Sequence, residues 1–316
     1  MANASATPKT PRRRRRRRRV TFLARTCHRL LRLLATRRLR RGGHGLNSIS
    51  AGDDSPPSGQ PPRGRDAEEA EATQAAAAAQ RRHEERHGDD DAAATEEAEA
   101  AVAGKYWAQR RSLFSLYDRG VRMDAEGWYS ATPEAIAAAQ AARAPPGSLV
   151  LDAFAGVGGN SIQFAARGCY VVAVEIDPRK VELAAHNARI YGVDDMIEFV
   201  VADFFHLAPS FKADLVFLSP PWGGPSYSQA QVYSLDMLKP RDGFTILQAA
   251  QEISPNIIMF LPRNVDISQV EQLSWLSSPP LDFASEENYI EHRFKGITAY
   301  FGGVAQEVLK QGLISS

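Results

Sequence analysis

Two cysteines in 316 residues, Cys27 and Cys169, lie in segments too unlike each other to suggest a disulfide or a thiolate metal cluster, and a reducing compartment is expected. No stretch approaches the run of about 18 apolar residues that a membrane-crossing helix needs. His186, His206 and His292 are scattered at no ligand spacing, so no metal role falls to them. Acidic residues are missing altogether from residues 1–52, which hold 15 Arg and one Lys. The net charge of +1 therefore hides a segregation: about +16 over residues 1–52, −9 over 53–103 and −6 over 104–316.

Arg12 to Arg19 is an unbroken run of eight arginines that cannot fold on itself and is suited to polyanions or an import receptor. A second basic stretch, from Leu30 to Arg41, is amphipathic. Together they suit nuclear or nucleolar targeting with non-specific RNA affinity. An organellar transit peptide and a functionally idle extension are the alternatives. From Asn47 to about Ala103 the composition turns to Ser, Gly and Pro, then to Ala and Glu, with too little apolar side chain for a core. The expected organisation is a disordered basic tail (1–52), a disordered acidic linker (53–103), a helical extension (104–144), one catalytic-sized domain (145–305) and a short carboxyl-terminal tail (306–316).

Order is expected to begin near Lys105. From there to Tyr117 aromatic and basic residues alternate at helical spacing, which predicts a short amphipathic helix packing Trp107, Phe114 and Tyr117. Thr132, Pro133 and Glu134 read as N-cap, N1 and first turn of a helix over Ala135–Arg143. After Pro145-Pro146-Gly147 comes a buried strand, Leu149–Asp152, running into Ala153-Phe154-Ala155-Gly156-Val157-Gly158-Gly159-Asn160-Ser161 and a helix over Ile162–Arg167. The glycines allow a tight turn and close approach of a ligand to a helix amino terminus. Asp152, four residues before the first glycine, would repel a pyrophosphate but suits the cationic amino group of S-adenosylmethionine.

Two further strands end in acids. Tyr170–Val174 leads to Glu175, 23 residues after Asp152 and placed to accept ribose hydroxyls. Asp177 reads as the cap of a helix over Arg179–Tyr191, closed by Gly192. Ile197–Val201 leads to Asp203, suited to an adenine amine, and Phe204, suited to its ring. The fourth strand, Leu215–Leu218, stops at Ser219-Pro220-Pro221-Trp222. Two prolines hold that backbone extended, so the Ser219 side chain and the Pro220 carbonyl face one place, where an exocyclic amine can donate both hydrogens. Trp222 offers a face for the base that carries it. A fifth strand, Ile257–Leu261, and two more over Glu287–Phe294 and Gly296–Phe301 complete an expected α/β fold: a Rossmann-like, doubly wound, mostly parallel seven-stranded sheet.

Lys105–Arg110, Glu126–Ser130, Asp152–Asn160 and Ser219–Gly224 resemble the class I S-adenosylmethionine-dependent methyltransferases, and among them the trimethylguanosine synthase family of RNA cap guanine-N2 methyltransferases. The likeness covers about residues 104–305. It implies two successive transfers to N2 of a 7-methylguanosine cap on small nuclear and nucleolar RNAs, with S-adenosylmethionine as cofactor and no metal. It implies Ser219, Pro220 and Trp222 as catalytic. It implies Phe114, Thr132, Asp152, Phe154, Gly156, Gly158, Asn160, Glu175, Asp203 and Phe204 at the cofactor. Trp222, Lys105, Arg263, Asn264 and Tyr227 would meet the capped RNA. A nuclear monomer is expected, with ribonucleoprotein proteins as candidate partners. An amino methyltransferase acting on ribosomal RNA and a cap-binding protein without activity stay open as alternatives.

Overall fold

The computed structural model describes Gly104 and residues 106–314; the basic tail, the linker, Cys27 and Lys105 lie outside the described residues. Seven strands form one sheet in the order β3-β2-β1-β4-β5-β7-β6. They are β1 (Leu149–Asp152), β2 (Tyr170–Glu175), β3 (Ile197–Val201), β4 (Leu215–Leu218), β5 (Ile257–Pro262), β6 (Phe283–Ile290) and β7 (Arg293–Phe301). Strands β1 to β5 are parallel, and β7 inserts antiparallel between β5 and β6. Every residue of β1, β4 and β5 is buried, as their unbroken apolar runs require of strands covered on both faces. The strand order reverses between β1 and β4. Their carboxyl ends therefore open the crevice where ligands bind in such sheets.

The amino-terminal extension is more broken than the residue spacing suggests. A 3-10 turn (Trp107–Gln109), a four-residue helix α1 (Arg110–Leu113) and a second 3-10 turn (Tyr117–Arg119) replace one helix. The break falls at Phe114, which turns extended and sinks into the core. Helices α2 (Gly127–Ser130) and α3 (Glu134–Ala142) follow. Pro133, not Thr132, is the N-cap of α3, and no side chain caps it. The Glu134 carboxylate instead accepts from the Ser115 amide (2.6 Å) and hydroxyl (2.8 Å) and from the Tyr191 hydroxyl (2.7 Å). Asn187 reinforces this clamp, exchanging two hydrogen bonds with the Arg122 backbone and donating to the Val157 carbonyl. The extension is thereby fastened to the glycine-rich turn.

Helix α4 (Gly159–Ala166) follows β1, and α5 (Pro178–Tyr191) follows β2, capped by Asp177 and closed by left-handed Gly192 as expected. Helices α6 (Phe204–Leu207), α7 (Gly243–Gln251) and α8 (Ile267–Gln272) follow β3, β4 and β5. Helix α9 (Gly303–Ile314) begins within the expected domain, where Val304 and Ala305 are buried, and continues through residues 306–314, expected as a tail. The hairpin also differs from expectation. Its turn is Glu291-His292, with Glu291 at φ 55°, and Gly296 lies inside β7. That glycine serves close approach rather than turning, since a Cβ there would stand 2.6 Å from the Leu261 carbonyl oxygen of β5. Cys169 is a buried free thiol whose pKa burial pushes up to about 11, which leaves it unreactive.

Candidate functional site

A cavity of about 640 Å3 opens at the carboxyl ends of β1, β2 and β4. Its first wall is the glycine-rich turn, where Ala153, Phe154, Gly156 and Asn160 face the cavity. Gly158 does not. At φ 91° it packs against α5, where a Cβ would meet that of Ala184 at 3.0 Å, so its role is to seat the turn on the helix. Phe114 is likewise off the wall. It lies behind the turn, against Tyr191 and close to Gly159, because the chain needs an apolar plug there.

Asp152 sits at the tip of β1, one residue before the cavity wall, and is buried. Its Oδ2 accepts from the Ser161 hydroxyl at 2.6 Å, while Oδ1 is buried without a hydrogen-bond partner. Burial raises its pKa to about 7; the Ser161 hydrogen bond pulls it back, and the nearby charge of Glu175 adds to the rise. The Phe154 and Ser161 amides lower it slightly from nearby without bonding Oδ1. A buried carboxyl oxygen left in this condition is costly unless a cation or donor completes it.

Glu175, on the second wall, is held differently. Its two oxygens accept from the amides of Gly156 (2.9 Å), Ile176 (2.8 Å) and Asp177 (3.1 Å), so the carboxylate is anchored before any ligand arrives. On the third wall Asp203 faces the cavity while capping α6 through the Phe205 amide (2.9 Å), with Oδ2 against His206 at 2.9 Å. Phe204 lines the same wall beside Phe154, ring centroids 5.5 Å apart. Thr132, which was placed at the cofactor by resemblance, also faces the cavity. Asn160 is fixed from behind by a buried chain: its amide donates to Gln140 at 2.7 Å, and Gln140 donates to Thr298 at 2.9 Å.

Ser219, Pro220 and Trp222 line the far end. The Ser219 hydroxyl is oriented toward the Phe154 carbonyl at 3.3 Å, which occupies its proton and leaves its lone pairs for an incoming donor. Trp222 is braced edge-on by Tyr227 (5.1 Å) and tilted against Phe260 (5.3 Å). Tyr227 and Arg263 line this end too. Asn264 does not. Its amide donates to the carbonyls of Ala230 (2.8 Å) and Tyr227 (3.3 Å), so it is a strut for the loop that carries Trp222. Tyr233, buried, adds a second strut by donating to the Trp222 carbonyl at 3.1 Å.

Several wall residues were given no role from the sequence: Ile176, Lys180, Lys239 and Lys295, and Glu126, Tyr129 and Ser130, which entered only as part of a motif. Ile176, 69% exposed between two acids, carried a signal, because a strand-tip apolar residue with nowhere to bury is available to a ligand. Lys180 and Glu126 form an ion pair whose partners lie 54 residues apart, and nothing local announces it. The wall carries four acids, Glu126, Glu175, Asp177 and Asp203, with Lys180 paired to Glu126, and three further cations, Lys239, Arg263 and Lys295.

The profile of a family described as RNA cap guanine-N2 methyltransferase matches residues 147–304. The chain is 39% identical over 217 residues to a trimethylguanosine synthase of Schizosaccharomyces pombe, covering 65% of this chain and 89% of that one. It is 42% identical over 179 residues to a trimethylguanosine synthase of Saccharomyces cerevisiae, covering 53% and 57% respectively. Among solved structures, a putative methyltransferase from Porphyromonas gingivalis shares the fold at a TM-score of 0.50 and 14% identity, covering 65% of this chain and 50% of that one.

Proposed function

This chain belongs to the RNA cap guanine-N2 methyltransferase family, and from that premise we propose that it converts the 7-methylguanosine cap of RNA to 2,2,7-trimethylguanosine by two methylations at N2. It is an enzyme of the S-adenosylmethionine-dependent kind. Capped small nuclear and nucleolar RNAs are the substrate class and the nucleus the compartment of action, and the arginine run of residues 12–19 suits both.

The donor set fits S-adenosylmethionine. The orphaned Oδ1 of Asp152 suits an ammonium, the pre-anchored Glu175 suits a ribose diol, and Asp203 with Phe204 suits an adenine edge and face. When bound, the cofactor supplies a methyl group on positively charged sulfur, which an amine can take without an activated nucleophile. The chain's own residues then have positioning to do. Trp222 stacks on the guanine, whose N7 methyl makes it cationic, so the contact gains a cation–π component that plain guanine lacks. Ser219 Oγ, its proton spent on Phe154, and the Pro220 carbonyl accept the two N2 hydrogens and turn the nitrogen lone pair toward the methyl group. The acceptors orient the amine rather than deprotonate it; the extra proton on the methylated nitrogen leaves to solvent after transfer, so no strong base is needed. Arg263 suits the cap's phosphates. Lys105 is proposed for the same task.

The observation that carries this reading is the Ser219-Pro220-Pro221-Trp222 end of β4, where a hydroxyl acceptor and a braced indole share one cavity with Glu175 and Asp203. Transfer of labelled methyl from S-adenosylmethionine to 7-methylguanosine diphosphate, with guanosine diphosphate as control, tests it. Incorporation that requires the N7 methyl is expected. Binding of the cofactor with no labelling of either nucleotide would remove the cap reading and point to structured ribosomal RNA.

A further inference from the structure

Beside the methyl-transfer cavity lies a second, of about 780 Å3. Phe205 and His206 of α6 form one side, Gln248 and Gln251 of α7 the other, and Arg241 the rim. Asp203 borders both cavities, so the two share a wall. The chain passes from one to the other at Lys239-Pro240-Arg241: Lys239 and Pro240 face the first, Arg241 the second. Lys239 is itself tied to the substrate end, because its amide donates to the Pro221 carbonyl at 3.0 Å.

The second cavity has a particular chemistry. The Arg241 guanidinium lies over the Phe205 ring at 4.8 Å, which makes a flat, cationic and partly apolar face. Gln251 Nε2 is buried in the wall with no hydrogen-bond partner, an orphaned donor. Asp203 and Glu252 supply acceptors. A small anion inside the cavity is disfavoured by those two carboxylates, and a basic peptide by Arg241. A planar group with donors and acceptors on its edge and a phosphate behind it satisfies the whole wall. That is a nucleobase in a single strand.

We propose that this cavity takes a nucleotide of the RNA body beyond the cap, its base on the Arg241–Phe205 face and its phosphates along Lys239 and Arg241. The proposal rests on the cap-methylation reading for the identity of the strand. It adds that the enzyme selects for a single-stranded 5′ leader without reading its sequence, since every base has a face to stack.

The full-length wild type, Arg241→Ala and Arg241→Glu are assayed on a cap dinucleotide and on a capped single-stranded decamer. Arg241→Glu is expected to raise KM for the decamer by about fivefold or more, with Arg241→Ala in between, while the dinucleotide's KM and both kcat values stay unchanged. A 4-thiouridine within the leader is expected to photo-crosslink to the segment holding Phe205 and His206 in wild type, and to lose that crosslink in Arg241→Glu. Equal shifts for both substrates, no shift for the decamer, or a crosslink confined to Arg12–Arg19 would overturn the proposal, the last assigning the RNA body to the basic tail. If the wild type methylates neither substrate, the cap reading fails instead, and the crosslink still decides whether the cavity holds RNA.

Discussion

At the β2 and β3 side of the cavity the carboxylates are anchored mostly by amides of the next one or two residues, whereas at the Trp222 end much of the support comes from β5 and the segment after it. Glu175 takes the amides of the two residues that follow it, Asp177 that of Arg179, and Asp203 that of Phe205. Trp222 is held through Tyr233, and its loop through Asn264 and through Gln269, which accepts from Leu235 and Ser234. The first half is therefore preformed wherever its strands form. The second half exists only when β5 and the segment after it have docked, so the two halves should fail separately.

The largest separation is expected from Trp222→Ala, which should lower kcat/KM on the 7-methylguanosine cap by roughly 100-fold through lost stacking and cation–π attraction while cofactor affinity stays within about twofold. Parallel cofactor titration and steady-state kinetics check it, and a matching loss of cofactor binding would mean that the halves are one unit. Asp152→Ala should do the reverse, weakening cofactor by about tenfold or more and leaving the apo protein's thermal stability unchanged or higher, because a poorly satisfied buried carboxyl is removed. Isothermal titration beside a melting curve separates those outcomes.

Asn264→Ala should cost about 1–3 kcal/mol from two unsatisfied loop carbonyls and lower kcat about tenfold, again without touching cofactor affinity. Next comes a pH effect. The Asp152 pKa is raised from 3.8 to about 7 in the folded chain, so its neutral form contributes stability that is full below 3.8 and lost as pH rises through about 7. A bound ammonium reverses the sign by favouring the carboxylate. Stabilisation by S-adenosylmethionine in a thermal shift should thus be larger at about pH 8 than at about pH 6, and Asp152→Asn should flatten that dependence. The smallest effect is expected at Arg110→Ala, where a cation–π contact to exposed Trp107 and an ion pair to exposed Asp118 together should change stability by no more than about 1 kcal/mol.

What could be read without coordinates follows the same division. The strand-tip acids were legible because Asp152, Glu175 and Asp203 each end an apolar run, and Asp177 because it precedes Pro178 at a helix start. The bracing role of Asn264 was not legible, because a polar residue after a strand looks the same whether it faces a ligand or braces a loop 34 residues away. Gly296 was read as the start of the last strand, with the turn at Lys295, yet the turn falls at Glu291-His292, and the glycine answers a close backbone approach from β5. Phe114 and Gly158 sit where the motifs put them along the chain, one layer behind the wall.

The sequence by itself determined the parallel core, the order of chemistry along it and the amino acids that meet at the carboxyl ends, because burial of continuous apolar runs forces those strands together and brings their polar tips to one edge. Tertiary structure alone decided which tips are pre-anchored and which wait for a ligand. It decided that Asp152 keeps an unpaired oxygen, that Ser219 turns its proton to Phe154, and that two cavities share Asp203. Such outcomes depend on distances of a few tenths of an ångström between residues tens of positions apart, and a linear pattern carries no information at that scale.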